Sequence, residues 1–96
     1  KAEKAYLDII ENYKKYISDD NLAAIYISLG AIYAELKKSD LSYNYLDKAL
    51  QLAIKSKNLR NETQAYYKLG HYYMDKGNTR KAEQYFVKTI NGARLT

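Results

Sequence analysis

The sequence predicts an all-α fold, an array of antiparallel helix pairs with two full 40-residue units behind a leading half-unit. Three observations predict it. The 96 residues include no proline and only four glycines, so turns are short and the rest can be helix. Apolar residues recur at three-and-four spacing, the signature of amphipathic helices. The pattern also repeats at an offset of 40, as in repeat architectures. Lys1-Ala2-Glu3 returns as Lys81-Ala82-Glu83, and Leu46 sits midway between Tyr6 and Phe86, as Leu50 does between Ile10 and Ile90. Asn21 matches Asn61, Tyr26 Tyr66, Leu29 Leu69, Gly30 Gly70 and Tyr33 Tyr73.

The leading helix is expected over about 1–17, where Ala2, Tyr6, Ile9, Ile10, Tyr13 and Ile17 form one stripe. The next, about 21–37, is apolar almost throughout from Leu22 to Leu36, as suits a helix sandwiched between neighbours. Asp19, Asp20 and Asn21 are its candidate caps. The third, about 40–56, carries the stripe again in Leu41, Tyr45, Leu46, Ala49, Leu50, Ala53 and Ile54. A capping box at Asn61 and Gln64 opens the fourth, about 60–76. Thr79 caps the fifth, about 79–93, after a Gly77-Asn78 turn. The domain plan is one repeat domain over 1–96, with a half-unit at 1–20 and units at 21–60 and 61–96, cut from a longer protein.

The formal charge of +5 raises the question of nucleic acid. Lys14, Lys15, Lys37, Lys38, Lys55, Lys57 and Lys76 all fall in or just past a predicted last turn, where cations complement the helix dipole. No basic stripe with aromatic platforms emerges, which argues against nucleic acid as a partner. Cysteine is absent, excluding disulfides and thiol chemistry, and His71 is the single histidine. No catalytic constellation and no glycine-rich phosphate loop can be assembled. An enzyme is not expected, nor any metal or cofactor. No apolar run reaches the length of a membrane span. The opening Lys1-Ala2-Glu3-Lys4 is no signal peptide, so a cytoplasmic setting is expected.

Tyr26, Leu29-Gly30 and Tyr33, and more closely Tyr66, Leu69-Gly70, Tyr73, Gly77-Asn78, Ala82 and Phe86, resemble the tetratricopeptide repeat signature. The resemblance covers the whole chain and implies a right-handed superhelix. Departures are clear: the period is 40 instead of 34, the terminal proline is missing, Ser42 replaces a small alanine and Lys37 the turn glycine. Lengthened repeats of this kind are similar to those of bacterial regulators. The two helix glycines are expected to mark a close helix approach, since glycine there costs about 1 kcal/mol relative to alanine. Ala49 and Ala82 would supply smallness on the facing side.

The family resemblance implies a protein- or peptide-binding module whose concave face comes from the first helix of each pair. The residues there that internal packing leaves free are Ala24, Ile27, Ser28, Ala31, Ala34 and Glu35 in one unit. In the other they are Gln64, Tyr67, Lys68, His71, Met74 and Asp75. From these the candidate site is Ile27, Ser28, Ala31, Glu35, Gln64, Tyr67, Lys68, His71 and Asp75. The lysine-asparagine clamp for C-terminal carboxylates is replaced by Ile27, Ala31, Tyr67 and His71, so the expected ligand is a peptide with hydrophobic side chains. The alternative is a structural, self-associating segment with an empty groove. Tyr6, Leu7, Ile9, Ile10 and Tyr13 at one end, with Tyr85, Val87 and Ile90 at the other, lead to an expectation of self-association through the terminal helices.

Overall fold

One turn design sets the period of the chain. The computed structural model describes residues 2–95, with side chains from 3 to 92, and its helices are α1 (Ala2–Tyr13), α2 (Asp19–Glu35), α3 (Ser39–Lys55), α4 (Leu59–Asp75) and α5 (Thr79–Leu95). After α2, the Lys38 amide donates to the Tyr33 carbonyl at 2.9 Å and the Lys37 amide to Ala34 at 3.1 Å. Asn58 and Lys57 repeat this on Ala53 and Ile54, and Asn78 and Gly77 on Tyr73 and Met74. These are Schellman caps, which need one residue in the left-handed region. Lys37 (φ 62°), Lys57 (φ 57°) and Gly77 (φ 78°) supply it. With helices of 17 residues joined by three-residue links, the backbone repeats every 20 residues and the side-chain pattern every 40.

The caps lie earlier than the sequence suggests. Ser18 accepts from the Asn21 amide at 3.2 Å, Asn58 from Asn61 at 3.0 Å and Asn78 from Lys81 at 3.2 Å. Asp19, Asp20, Asn21, Asn61 and Thr79 are therefore not the capping residues. At Asn58 and Asn78 the Schellman turn dictates this, because the residue after the left-handed one is already the next helix's cap; before Ser18 the chain leaves the 3₁₀ turn through an extended Ile17 instead. Asn61 instead becomes buried, and its side-chain amide donates to the Asp20 carbonyl at 3.0 Å, tying the start of α4 to that of α2. The leading helix is shorter than expected. It ends at Tyr13, and Lys14–Tyr16 tighten into a 3₁₀ turn.

Each helix packs antiparallel on the next, and α2 also touches α4. The sandwiched position inferred for the second helix is what is found: Leu22, Ala23, Tyr26, Ile27, Leu29, Gly30 and Tyr33 are all buried. One core gathers Leu22, Tyr26, Ile27, Leu29, Tyr33 and Ala49, with Tyr6, Leu7 and Ile10 of α1 packed against it. The apolar stripe of α1 is thus largely spent on α2. Only its edge, Ile9 and Tyr13, stays exposed. A second core joins Leu46, Leu50, Ala65 and Leu69, flanked by Tyr43, Tyr66 and Tyr85.

Gly30 and Gly70 do mark close approaches, but large side chains, not alanines, press on them. A Cβ on Gly30 would come within 2.6 Å of Leu46, and one on Gly70 within 2.6 Å of Phe86. Gly30 thus makes room for Leu46, and Gly70 for Phe86. Ala49 and Ala82 are fully buried. Ser42, the substitute for a small alanine, is buried too, and its hydroxyl donates to the Gly30 carbonyl at 2.8 Å.

Candidate functional site

The packing of α2 beside α4 leaves a groove of about 280 Å³, floored by α3. Gly30, Ser42 and Leu46 form its base, with Ala31 and Ala34 on the α2 side and Tyr67, Lys68, His71 and Tyr72 on the α4 side. Glu35 and Asp75 stand at one end as the last residues of α2 and α4. Small residues on one wall and rings on the other leave room for a side chain inserted from outside. Leu46, almost fully buried, lies beneath the floor where Gly30 has no side chain, and Ala31 and Ala34 keep the α2 wall small.

The groove gathers six of the sequence-derived residues: Ala31, Glu35, Tyr67, Lys68, His71 and Asp75. Ile27 is not among them. It is 6% exposed and belongs to the core, because α2 is enclosed by α1 and α3 as well as by α4. Ser28 is half-buried and does not line the groove, and Gln64 borders an adjoining hollow with Thr63 and Thr89, which shares Tyr67 and Lys68 with the groove. Sequence reasoning missed the floor and Tyr72. Facing counts along the first helices cannot reveal what the second helix contributes from beneath. The signal that could have found it is Gly30 itself, since a gap over Leu46 follows from a missing side chain.

The aromatic wall is stiffened from behind. The Tyr67 ring meets His71 edge-on at 4.6 Å, and both lean on Phe86, at 6.2 and 5.4 Å between centroids. Such contacts hold the rings in place with Tyr67 still 46% exposed. Away from the groove, tyrosines of α2 to α5 pack between helices in a pattern that repeats. Tyr33 stacks on Tyr45 at 5.6 Å, and Tyr73 on Tyr85 at the same distance. Lys48 sits over Tyr26 and Tyr45, and Lys88 over Tyr66 and Tyr85. Much of the basic excess is therefore lodged on ring faces.

Five of these hydroxyls hold their protons more tightly than usual. Tyr66 is pushed up to about 12, by burial first, then by donating to Glu62 at 2.6 Å and by that carboxylate's charge. Tyr33, Tyr73 and Tyr85 are raised chiefly by burial, and Tyr43 chiefly by the neighbouring Tyr73. This cluster is a packing layer, and among the described residues no group of three or more His, Cys, Asp or Glu could hold a metal ion. No helix of the described residues is long and apolar enough to cross a membrane.

Stacked helical hairpins with a side-chain-lined groove between the first helices define a helical-repeat interaction module. The family model of the tetratricopeptide repeat matches residues 21–94, more than half of the chain, and the chain belongs to that family. The family serves protein–protein interaction and is in general non-catalytic. No curated protein and no solved structure matches the chain significantly.

Proposed function

We propose that the chain is a non-catalytic module that holds an extended peptide, or an extended segment of a partner protein, in the α2–α4 groove. One observation carries this: an open, preformed groove with an apolar floor and convergent polar groups from two helices. An extended peptide presents unpaired amides and carbonyls. Tyr67, Tyr72, Lys68, Glu35 and Asp75 offer partners for them, and Gly30, Ala31 and Ala34 leave space above Leu46 for an apolar side chain. In this proposal the 1–96 domain, of units 21–60 and 61–96 behind the half-unit 1–20, is the sensor part of a cytoplasmic bacterial regulator. The test is a titration against a library of extended peptides. Tyr67→Ala and Lys68→Glu should each weaken binding while the melting temperature moves by only a few degrees. Unfolding by either change would make those residues core and remove the proposal.

A second reading is favoured by α5. Val87 and Ile90 are 55% and 54% exposed, on the register that in α1 packs Leu7 and Ile10, and in α3 Leu50, into the cores. Self-association through this face would make the chain a scaffold. Sedimentation at tens of micromolar distinguishes the two, with Ile90→Lys restoring monomer only if α5 is the contact.

A further inference from the structure

The groove is electrically lopsided, and its charges select a ligand within the peptide-binding proposal, on which this inference rests. At one end stand Glu35 and Asp75, the final residues of α2 and α4. The carbonyl end of a helix already carries negative potential, so a carboxylate there costs stability instead of adding it. Neither carboxylate is in an ion pair within 4.0 Å; among the described residues the recorded pair is Lys55 with Asp19, on another face. Lys38 lies over the Tyr33 ring at 5.9 Å and Lys37 sits in the left-handed turn. Lys76 lies over the ring of Tyr72, on the groove wall, at 5.8 Å, and is not paired with either carboxylate within 4.0 Å.

The opposite end is marked by Lys68, seven residues before Asp75 and so about 10 Å away along the axis of α4. Between them lies the apolar seat over Leu46, with Ala31, Ala34 and Tyr72 around it. A dry cavity of about 150 Å³ can hold a benzene ring. A groove of about 280 Å³ therefore suits one large side chain with part of its backbone.

We propose that the groove takes an extended peptide in which a large aliphatic side chain lies two residues from a lysine or arginine. Two residues of extended chain span about 6.6 Å and return to the same face, which takes the cation from the Leu46 seat toward Glu35 and Asp75. Lys68 repels the same cation and so fixes which way the peptide lies. The cation supplies the charge that the two carboxylates lack.

Fluorescence anisotropy with labelled, end-capped decapeptides tests this. One carries leucine and arginine two residues apart in a glycine–serine background, a second has glutamate in place of arginine, and a third lacks the leucine. The first should bind about tenfold tighter than the second, as expected for two partly exposed charge contacts. E35Q with D75N should erase that preference while the melting temperature holds or rises slightly, as two carboxylates leave helix C-termini, and raised salt should narrow it. Ala34→Trp, an exposed groove position, should weaken the first peptide by occupying its seat. If the glutamate peptide binds equally or better, the cation assignment is overturned and the groove stands. If no peptide binds, or Ala34→Trp changes nothing, the groove itself is overturned and this proposal with it.

Discussion

The pairs α2–α3 and α4–α5 share one backbone plan and differ in how far they are closed. In the first, Gly30 faces a Leu46 that is 2% exposed, and Ile27 is enclosed in the core. In the second, Gly70 faces a half-buried Phe86, and the residue equivalent to Ile27 is Tyr67, 46% exposed. Ser42 binds the Gly30 carbonyl, whereas the second pair leaves the buried hydroxyl oxygen of Thr63 without a partner. The difference follows from neighbours. The first pair is flanked by α1 and α4, while α5 has no helix on its far side among the described residues. A repeat thus fixes the backbone, and the neighbours decide whether a given register position becomes core or binding surface.

The glycines should break the equivalence most sharply. Gly30→Leu is expected to cost about 4 kcal/mol, because buried Leu46 and the Ser42 carbonyl cannot retreat. Gly70→Leu should cost about 2 kcal/mol, since the half-buried Phe86 ring can swing outward. Urea unfolding measures both, and equal costs would mean that the two contacts are equally closed. In the same range, Ile27→Ala should cost about 2–4 kcal/mol as a core cavity. Tyr67→Ala, at the same register position, should cost under about 1 kcal/mol and be felt in ligand binding instead.

The raised tyrosines give a pH test that leans on the second pair, where Tyr66, Tyr73 and Tyr85 lie. Their neutral form is favoured in the folded state, and the unfolded chain ionises near 10. Stability from this source is complete below about pH 10 and is lost as pH rises toward about 12, because the unfolded chain releases its protons first. Urea midpoints followed from pH 8 upward should fall across that window, less steeply in Tyr66→Phe. A flat profile would mean that the hydroxyls are not buried as described.

The smallest effect expected is a gain. Lys37 and Lys57 hold the left-handed conformation that Gly77 adopts without strain, at a cost of roughly 1 kcal/mol each. Lys37→Gly or Lys57→Gly should recover about 0.5–1 kcal/mol, less the extra freedom that glycine brings to the unfolded chain. Thermal melts detect the sign, and a loss would mean that the lysine side chains stabilise the turns in another way.

The number and type of helices were legible because the apolar period and the 40-residue offset reinforce each other at Tyr26, Leu29, Gly30 and Tyr33. The caps were not. Ser18, Asn58 and Asn78 act only because a left-handed residue or turn precedes them, and Lys37 and Lys57 give no hint that they would take that conformation. In the groove, residues on the open rim such as Tyr67 and His71 could be read from helix facing. Ile27 could not be separated from them, because its burial depends on α1 and α3 and not on its own helix. The floor at Leu46 was hidden for the same reason.

The central claim is that binding lies between α2 and α4, and amide chemical-shift mapping tests it most directly. Titration of isotope-labelled protein with the leucine–arginine peptide should shift Ala31, Ala34, Tyr67, His71 and Asp75 first, with Val87 and Ile90 unmoved. Shifts confined to α5, or spread evenly along the chain, would contradict it.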